Sequence, residues 1–259
     1  MTGRGTLTEP RARGLGSAAG LLCAWEQGAA VPSGAVGAAL LRAAGVVEDL
    51  ATALDLPLSD SSVLLAAVYA RTFGERVQAE TSCASCGERL ELELPLHRID
   101  PVPEPAAHGT TVVTVPDGAD VAGGELLVRC PTLRDVVAAG DAPDPETELL
   151  GRCVTDGKGG GVDVAALTPD VRRAADRAAE QLAGAGALVV RSACPGCGGS
   201  VSADVDLAAL LWQRVTTEAG RVLGEVAELA AAFGWAESEV LALSEHRRAA
   251  YLTLVRGRP

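Results

Sequence analysis

Apolar positions along this chain change period several times, and each change marks an element. Leu21, Leu22 and Trp25 fall on one side of a predicted helix from Leu15 to Gln27. Pro32-Ser33-Gly34 breaks it. Ser33 is placed to cap a second helix over 35–54, with Val36, Leu40, Leu41, Val47 and Leu50 inward. Leu56-Pro57-Leu58 ends that helix. Ser59 or Asp60 then caps a third, Ser61 to Phe73, with Leu64, Leu65, Val68 and Tyr69 inward and Gly74 as its stop.

Past Val77 the period becomes two. Leu90, Leu92 and Leu94 alternate with Glu91 and Glu93, the pattern of a strand with one wet face. Two more strands are predicted over 111–115 and 125–130. Thr132 and Asp135 then make a capping box, with Asp in place of Glu, before a short helix to Ala139. A helical turn or two is expected over 146–154, a strand or turn over 162–167, and a helix to Ala183 opened by Thr168-Pro169. Strands at 187–192 and 201–207 follow. Spacings of three and four return at Leu210, Leu211, Val215, Ala219, Val222, Val226 and Leu229, giving a long helix to Phe233. A short helix over 235–243 and a last one capped by Ser244 close the chain.

Two motifs sit at the strand junctions: Cys83-Ala84-Ser85-Cys86 and Cys194-Pro195-Gly196-Cys197, each followed by a glycine, Gly87 and Gly198. Offset by 111 positions, Leu90, Leu92, Leu94 and Leu96 coincide with Val201, Ala203, Val205 and Leu207. A C-x-x-C turn aims two thiolates at one point, and glycine supplies the positive φ such turns need. Two of them make a four-cysteine site: four sulfurs at about 2.3 Å satisfy Zn²⁺ and leave no position for water. The expected cofactor is a structural Zn²⁺ on Cys83, Cys86, Cys194 and Cys197, with His97 or His108 as alternative ligands. A thioredoxin-like redox pair belongs at a helix N-terminus beside a βαβ unit, whereas each motif here lies between strands.

The expected fold class is therefore α+β: helical N- and C-terminal parts around a small zinc-ribbon-like β element with a long mixed insertion. The boundaries read as a loose tail over 1–14, an N-terminal helical part over 15–75, a zinc-knuckle β part over 76–207 with its insertion at 101–186, and a C-terminal helical part over 208–259. Residues 101–109, with three prolines, read as a linker. Apolar residues make up 48% of the 259, enough for a sizeable core.

Composition narrows the chemistry. A formal charge of −12 argues against general nucleic-acid binding, which needs a cationic surface. Around the knuckles Glu80, Glu88, Glu91, Glu93, Asp204 and Asp206 outnumber Arg89, Arg98 and Arg191. No signal peptide or membrane-spanning stretch is read, so a cytoplasmic, reducing setting is expected. Cys23, Cys130 and Cys153 read as small buried hydrophobes. The glycine turn at 156–161 lacks the frame of a phosphate loop. The histidines, His97, His108 and His246, are scattered and no catalytic spacing recurs, so no enzyme is expected. On the C-terminal helices Trp235, Arg247, Arg248 and Tyr251 are the candidate partner-binding residues; the two aromatics also suit packing of those helices onto the body.

Several stretches resemble a known family. They are Leu22-Cys23-Ala24-Trp25-Glu26-Gln27-Gly28, the segment from Tyr69 to Gly74, Arg129-Cys130-Pro131-Thr132-Leu133-Arg134-Asp135 and Leu149-Leu150-Gly151-Arg152-Cys153-Val154. The C-terminal Phe233-Gly234-Trp235-Ala236-Glu237, followed by Leu243-Ser244 with Arg247-Arg248 and Tyr251-Leu252, resembles it further. Together they look like the T4-type phage baseplate proteins of bacterial contractile injection systems. The resemblance implies a non-enzymatic structural or assembly component of a baseplate, cytoplasmic or incorporated in a phage-tail-like particle. Its partners would be other baseplate, hub or spike proteins, with no nucleic acid and no membrane insertion. A zinc-ribbon adaptor in a nucleic-acid-processing or other multiprotein complex is the alternative.

Overall fold

The computed structural model describes residues 15–96, 110–115, 124–184 and 188–257. The expected tail at 1–14 and linker at 101–109 lie outside the described residues, as do His97 and His108.

Four helices lead in: α1 (Ala18–Ala29), α2 (Val36–Ala43), α3 (Leu50–Leu54) and α4 (Leu58–Phe73). The hairpin β1 (Arg76–Ser82) and β2 (Arg89–Pro95) follows. Then come β3 (Thr111–Thr114), β4 (Glu125–Val128), α5 (Leu133–Gly140), α6 (Pro145–Cys153), β5 (Val154–Asp156) and α7 (Pro169–Gly184). A second hairpin, β6 (Leu188–Ala193) and β7 (Ser200–Val205), leads into α8 (Leu207–Phe233), α9 (Glu237–Leu241) and α10 (Glu245–Arg256). Mixed helices and small antiparallel sheets bear out the α+β class.

The helices on either side of the hairpins share one core. Leu40 and Leu41 of α2, Leu65, Val68 and Tyr69 of α4, and Val77 of β1 pack with Leu207, Leu211 and Val215 of α8. Farther along α8, Ala219, Val222, Val226 and Leu229 meet Leu21 and Leu22 of α1, Val240 of α9 and Leu252 of α10. One helix thus belongs to two apolar clusters in succession. Gly28 lets α1 lie against α8, since a Cβ there would stand 2.3 Å from Cζ3 of Trp212. A third cluster joins the antiparallel sheet β3-β4-β5 to α6 and α7 through Leu126, Val128, Leu150, Val154, Val171 and Ala175.

The predicted second helix over 35–54 is corrected. A 3-10 turn at Ser33–Ala35 precedes α2, which stops at Ala43, and α3 starts only at Leu50. Gly45 takes φ +66° between them, a left-handed conformation that ends a helix whatever the propensity of its alanine-rich neighbours. Ser33 makes no capping bond; Asp49 caps α3 instead. Likewise α4 begins at Leu58 rather than at Ser61, and the hydroxyls of Ser61 and Ser62 donate back to the Leu58 carbonyl at 3.0 Å. The capping box of α5 forms as expected from Thr132 and Asp135. Residues 164–166 are a 3-10 turn.

Candidate metal centre

Each knuckle is the turn of a hairpin, and the two turns are built alike. In the first, the Cys83 amide donates to the Glu88 carbonyl and the Gly87 amide to the Cys83 carbonyl, both at 2.8 Å. In the second, the Cys194 amide donates to the Gly199 carbonyl and the Gly198 amide to the Cys194 carbonyl, again at 2.8 Å. Gly87 and Gly198 have φ of +76° and +71°, a region L side chains rarely adopt. The matched strands follow: β1 pairs with β2 from Arg76↔Pro95 to Ser82↔Arg89, and β6 with β7 from Leu188↔Val205 to Ala193↔Ser200.

The turns face each other and interlock. A Cβ on Gly199 would stand 3.2 Å from both the Cys197 sulfur and the Ser85 hydroxyl, and one on Gly196 would touch Glu88. All four sulfurs of Cys83, Cys86, Cys194 and Cys197 lie within 4.8 Å of one another. Cys83 Sγ is 3.7 Å from Cys197 Sγ, and Cys86 Sγ is 3.6 Å from Cys194 Sγ. A tetrahedral ion with sulfur at about 2.3 Å sets neighbouring sulfurs about 3.8 Å apart, so the spacing fits such an ion. Cys83 and Cys194 are buried with Val201 and Leu90 around them, whereas Cys86 and Cys197 are open to solvent.

The two thiols of the first knuckle differ in their surroundings. Amides of Cys86 and Ser85 hold the Cys83 thiol down to about 6. At Cys86 the Glu88 amide also favours the thiolate, but the crowding sulfurs of Cys197 and Cys194 outweigh it and push the group up to about 12. A cation among sulfurs this close would offset their mutual repulsion as thiolates. The four cysteines can therefore hold a metal ion, and a closed set of four leaves it no open position for a reacting group.

The remaining candidates are placed as follows. Cys153 is buried, and burial pushes its thiol up to about 11. Cys130 is half-buried. Cys23, expected inside, is exposed on α1, where it accepts from the Gln27 amide one turn on at 3.0 Å; an alanine-rich helix gives little sign of which side faces out. Trp235 and Tyr251 are half-buried, with ring centroids 4.9 Å apart, and Phe233 stacks on Trp235 at 4.7 Å. Arg247 is exposed. Arg248 is turned inward, only 5% accessible, donating to Glu225 at 3.1 Å and to the Leu243 carbonyl at 2.8 Å. In the glycine turn the Asp156 carboxylate takes the amides of Lys158 and Gly160 at 2.9 and 2.7 Å, filling the nest an anion would need.

One network was not legible in periodicity. Arg129, at the end of β4, donates through Nη1 and Nη2 to both oxygens of Asp135 at 2.6 and 3.0 Å. Nη2 also reaches the Arg152 carbonyl at 2.7 Å. Asp135 accepts as well from the amide and hydroxyl of Thr132, at 2.9 and 2.8 Å. Burial opposes the Asp135 charge most strongly, yet Arg129 and Thr132 together hold the carboxyl down to about 2. The network ties β4, α5 and α6 at one point. Its only signal in the sequence was the run Arg129-Cys130-Pro131-Thr132-Leu133-Arg134-Asp135.

No helix among the described residues is long and apolar enough to cross a membrane. Residues 43–159 match the family described as the T4 bacteriophage base plate protein. The match bears out the resemblance over a span that runs from the end of α2 to the turn after β5. It contains the first knuckle and the Arg129–Asp135 network. No curated protein matches the chain, and no solved structure does.

Proposed function

We infer, with the phage base plate segment at 43–159 as premise, that this chain is a non-enzymatic structural or assembly component of the baseplate of a contractile injection system. The family match is the single observation that carries the reading. In it, a structural Zn²⁺ on Cys83, Cys86, Cys194 and Cys197 clasps the two hairpins, and the chain divides into a tail at 1–14, helical parts at 15–75 and 208–259, and the clasped β part at 76–207. Zinc suits the site because the four soft sulfur donors have tetrahedral spacing and belong to a reducing setting. The partners are other baseplate, hub or spike proteins, met in the cytoplasm or within the particle. A non-enzymatic role is supported by the family and by a metal centre whose ligands all come from the protein.

Deletion of the gene tests the reading. In the producing strain, electron micrographs should show tubes and sheaths without complete baseplates, and plasmid-borne wild-type protein should restore them. Unchanged yields of complete particles in the deletion strain would overturn it.

A further inference from the structure

We propose that the outward face of α10, together with Trp235, docks a segment of another particle subunit that presents aliphatic side chains beside a carboxylate. The proposal rests on the baseplate reading and adds the surface through which it is carried out.

Two faces of α10 are distinguishable. Arg248 and Leu252, one turn apart, are buried against α8 and the body. Arg247, Ala250 and Leu254 are exposed and Tyr251 is half-buried at the edge of the packed side, spacings of three and four that set all four along one neighbouring stripe. Leu254 is 61% exposed, more than Val112 or Leu223, the other exposed large apolar side chains among the described residues. Three of the chain's seven aromatics meet at Tyr251, three residues before it on the helix: Trp235 packs on both Phe233 and Tyr251 and is half-buried. Packing of the terminal helices alone does not call for Leu254 to face outward.

Charge pairing selects the occupant. On α8 and α10 most of the arginines have carboxylates. Arg221 pairs with Glu218, Glu225 and Glu245, Arg248 with Glu225, and Arg256 with Glu228. Arg247 has no side-chain ion pair or hydrogen bond among the described residues. An arginine one turn from the aromatic cluster, with Glu225 and Glu245 engaged by Arg221 and Arg248, is complemented by an acid on the partner. A second copy is the poorer occupant, because each copy carries a net charge of −12.

A photo-crosslinking residue at position 254 of the full-length protein, in the producing strain, tests this directly. The expected product joins the chain to a different particle subunit, at a peptide containing Asp or Glu; the same residue at exposed position 173 on α7 should not give it. A crosslink only to a second copy, or none, overturns the proposal. In parallel, Leu254→Asp and Arg247→Glu should lower the yield of complete particles about tenfold or more while Arg247→Lys keeps most of it, as for an interface anchor and its charge partner. Thermal unfolding of the purified variants should match wild type, which separates lost docking from lost folding. Full particle yield with both disruptive variants overturns the docking surface alone. Unchanged particle yield after gene deletion would instead overturn the baseplate reading.

Discussion

Cys83 and Cys197 stand 114 positions apart in the chain and their sulfurs are 3.7 Å apart in space. Cys86 and Cys194 repeat the relationship across 108 positions at 3.6 Å. Closing so long a loop costs chain entropy, and four thiols alone have no reason to crowd together. A structural zinc, as proposed, would supply the reason, since its binding contributes about 10–16 kcal/mol apparent free energy near neutral pH.

Native mass spectrometry should accordingly show one zinc per full-length chain. Cys83→Ser or Cys194→Ser, which remove buried ligands, should abolish it and leave the hairpins unfolded, as should a strong chelator. Cys23→Ser, at an exposed thiol, should change neither metal content nor stability. Full metal occupancy in Cys83→Ser would refute the shared site.

Asp135 gives a signature in acid. Its folded pKa, about 2, lies below the model-compound value of 3.8. A depressed carboxylate stabilises the fold above its unfolded pKa and loses that contribution as pH falls through its folded one. Wild type should thus lose about 2 kcal/mol from this group between roughly pH 4 and pH 2. Asp135→Asn should be less stable at neutral pH by a similar amount and lack this part of the acid dependence. Urea titrations across that range measure both.

Gly28→Ala should destabilise the chain. The added methyl meets the Trp212 ring, and overpacking of this kind costs about 1–3 kcal/mol. Trimming the ring with Trp212→Leu in the Gly28→Ala background should recover part of the loss. A strictly additive double mutant, read by urea unfolding, would mean the two do not meet.

Gly220 and Gly224 predict the reverse. Both lie inside α8, and a Cβ at either has nothing within 4 Å. Each Gly→Ala change there should stabilise the isolated protein by about 1 kcal/mol through helix propensity. The same change at Gly87 or Gly198 should destabilise it, because φ is positive there. Differential scanning calorimetry distinguishes the two signs.

The four-cysteine cluster is legible in the sequence because its information is local. Cysteine spacing, the glycine after it and two-residue alternation survive without knowledge of the rest of the fold. Which thiol is buried was not legible, since that depends on how Val201 and Leu90 close over Cys83 and Cys194. The break between α2 and α3 is hidden in the sequence because alanine and leucine carry a helical pattern across it, while a single left-handed residue, Gly45, decides the geometry. The sequence places Arg248 with Arg247 among the candidate partner-binding residues, yet it is buried. Neighbours in a helix point about 100° apart, and Glu225 on α8 and the Leu243 carbonyl receive the one that turns inward. The Arg129–Asp135 pair joins a strand end to a helix start, so no single-element periodicity reports it.

The length and placement of α8 have a mechanical consequence. Its 27 residues form a rod about 40 Å long. A single residue, Asp206, separates the end of β7 from the start of that rod, and its carboxylate caps it by accepting from the Ala209 amide at 3.0 Å. The far end carries the aromatic cluster and the seat of α10. With one residue at the near junction and apolar packing against α1, α2 and α4 along its length, α8 acts as a lever arm that fixes where the second knuckle stands relative to the N-terminal helices.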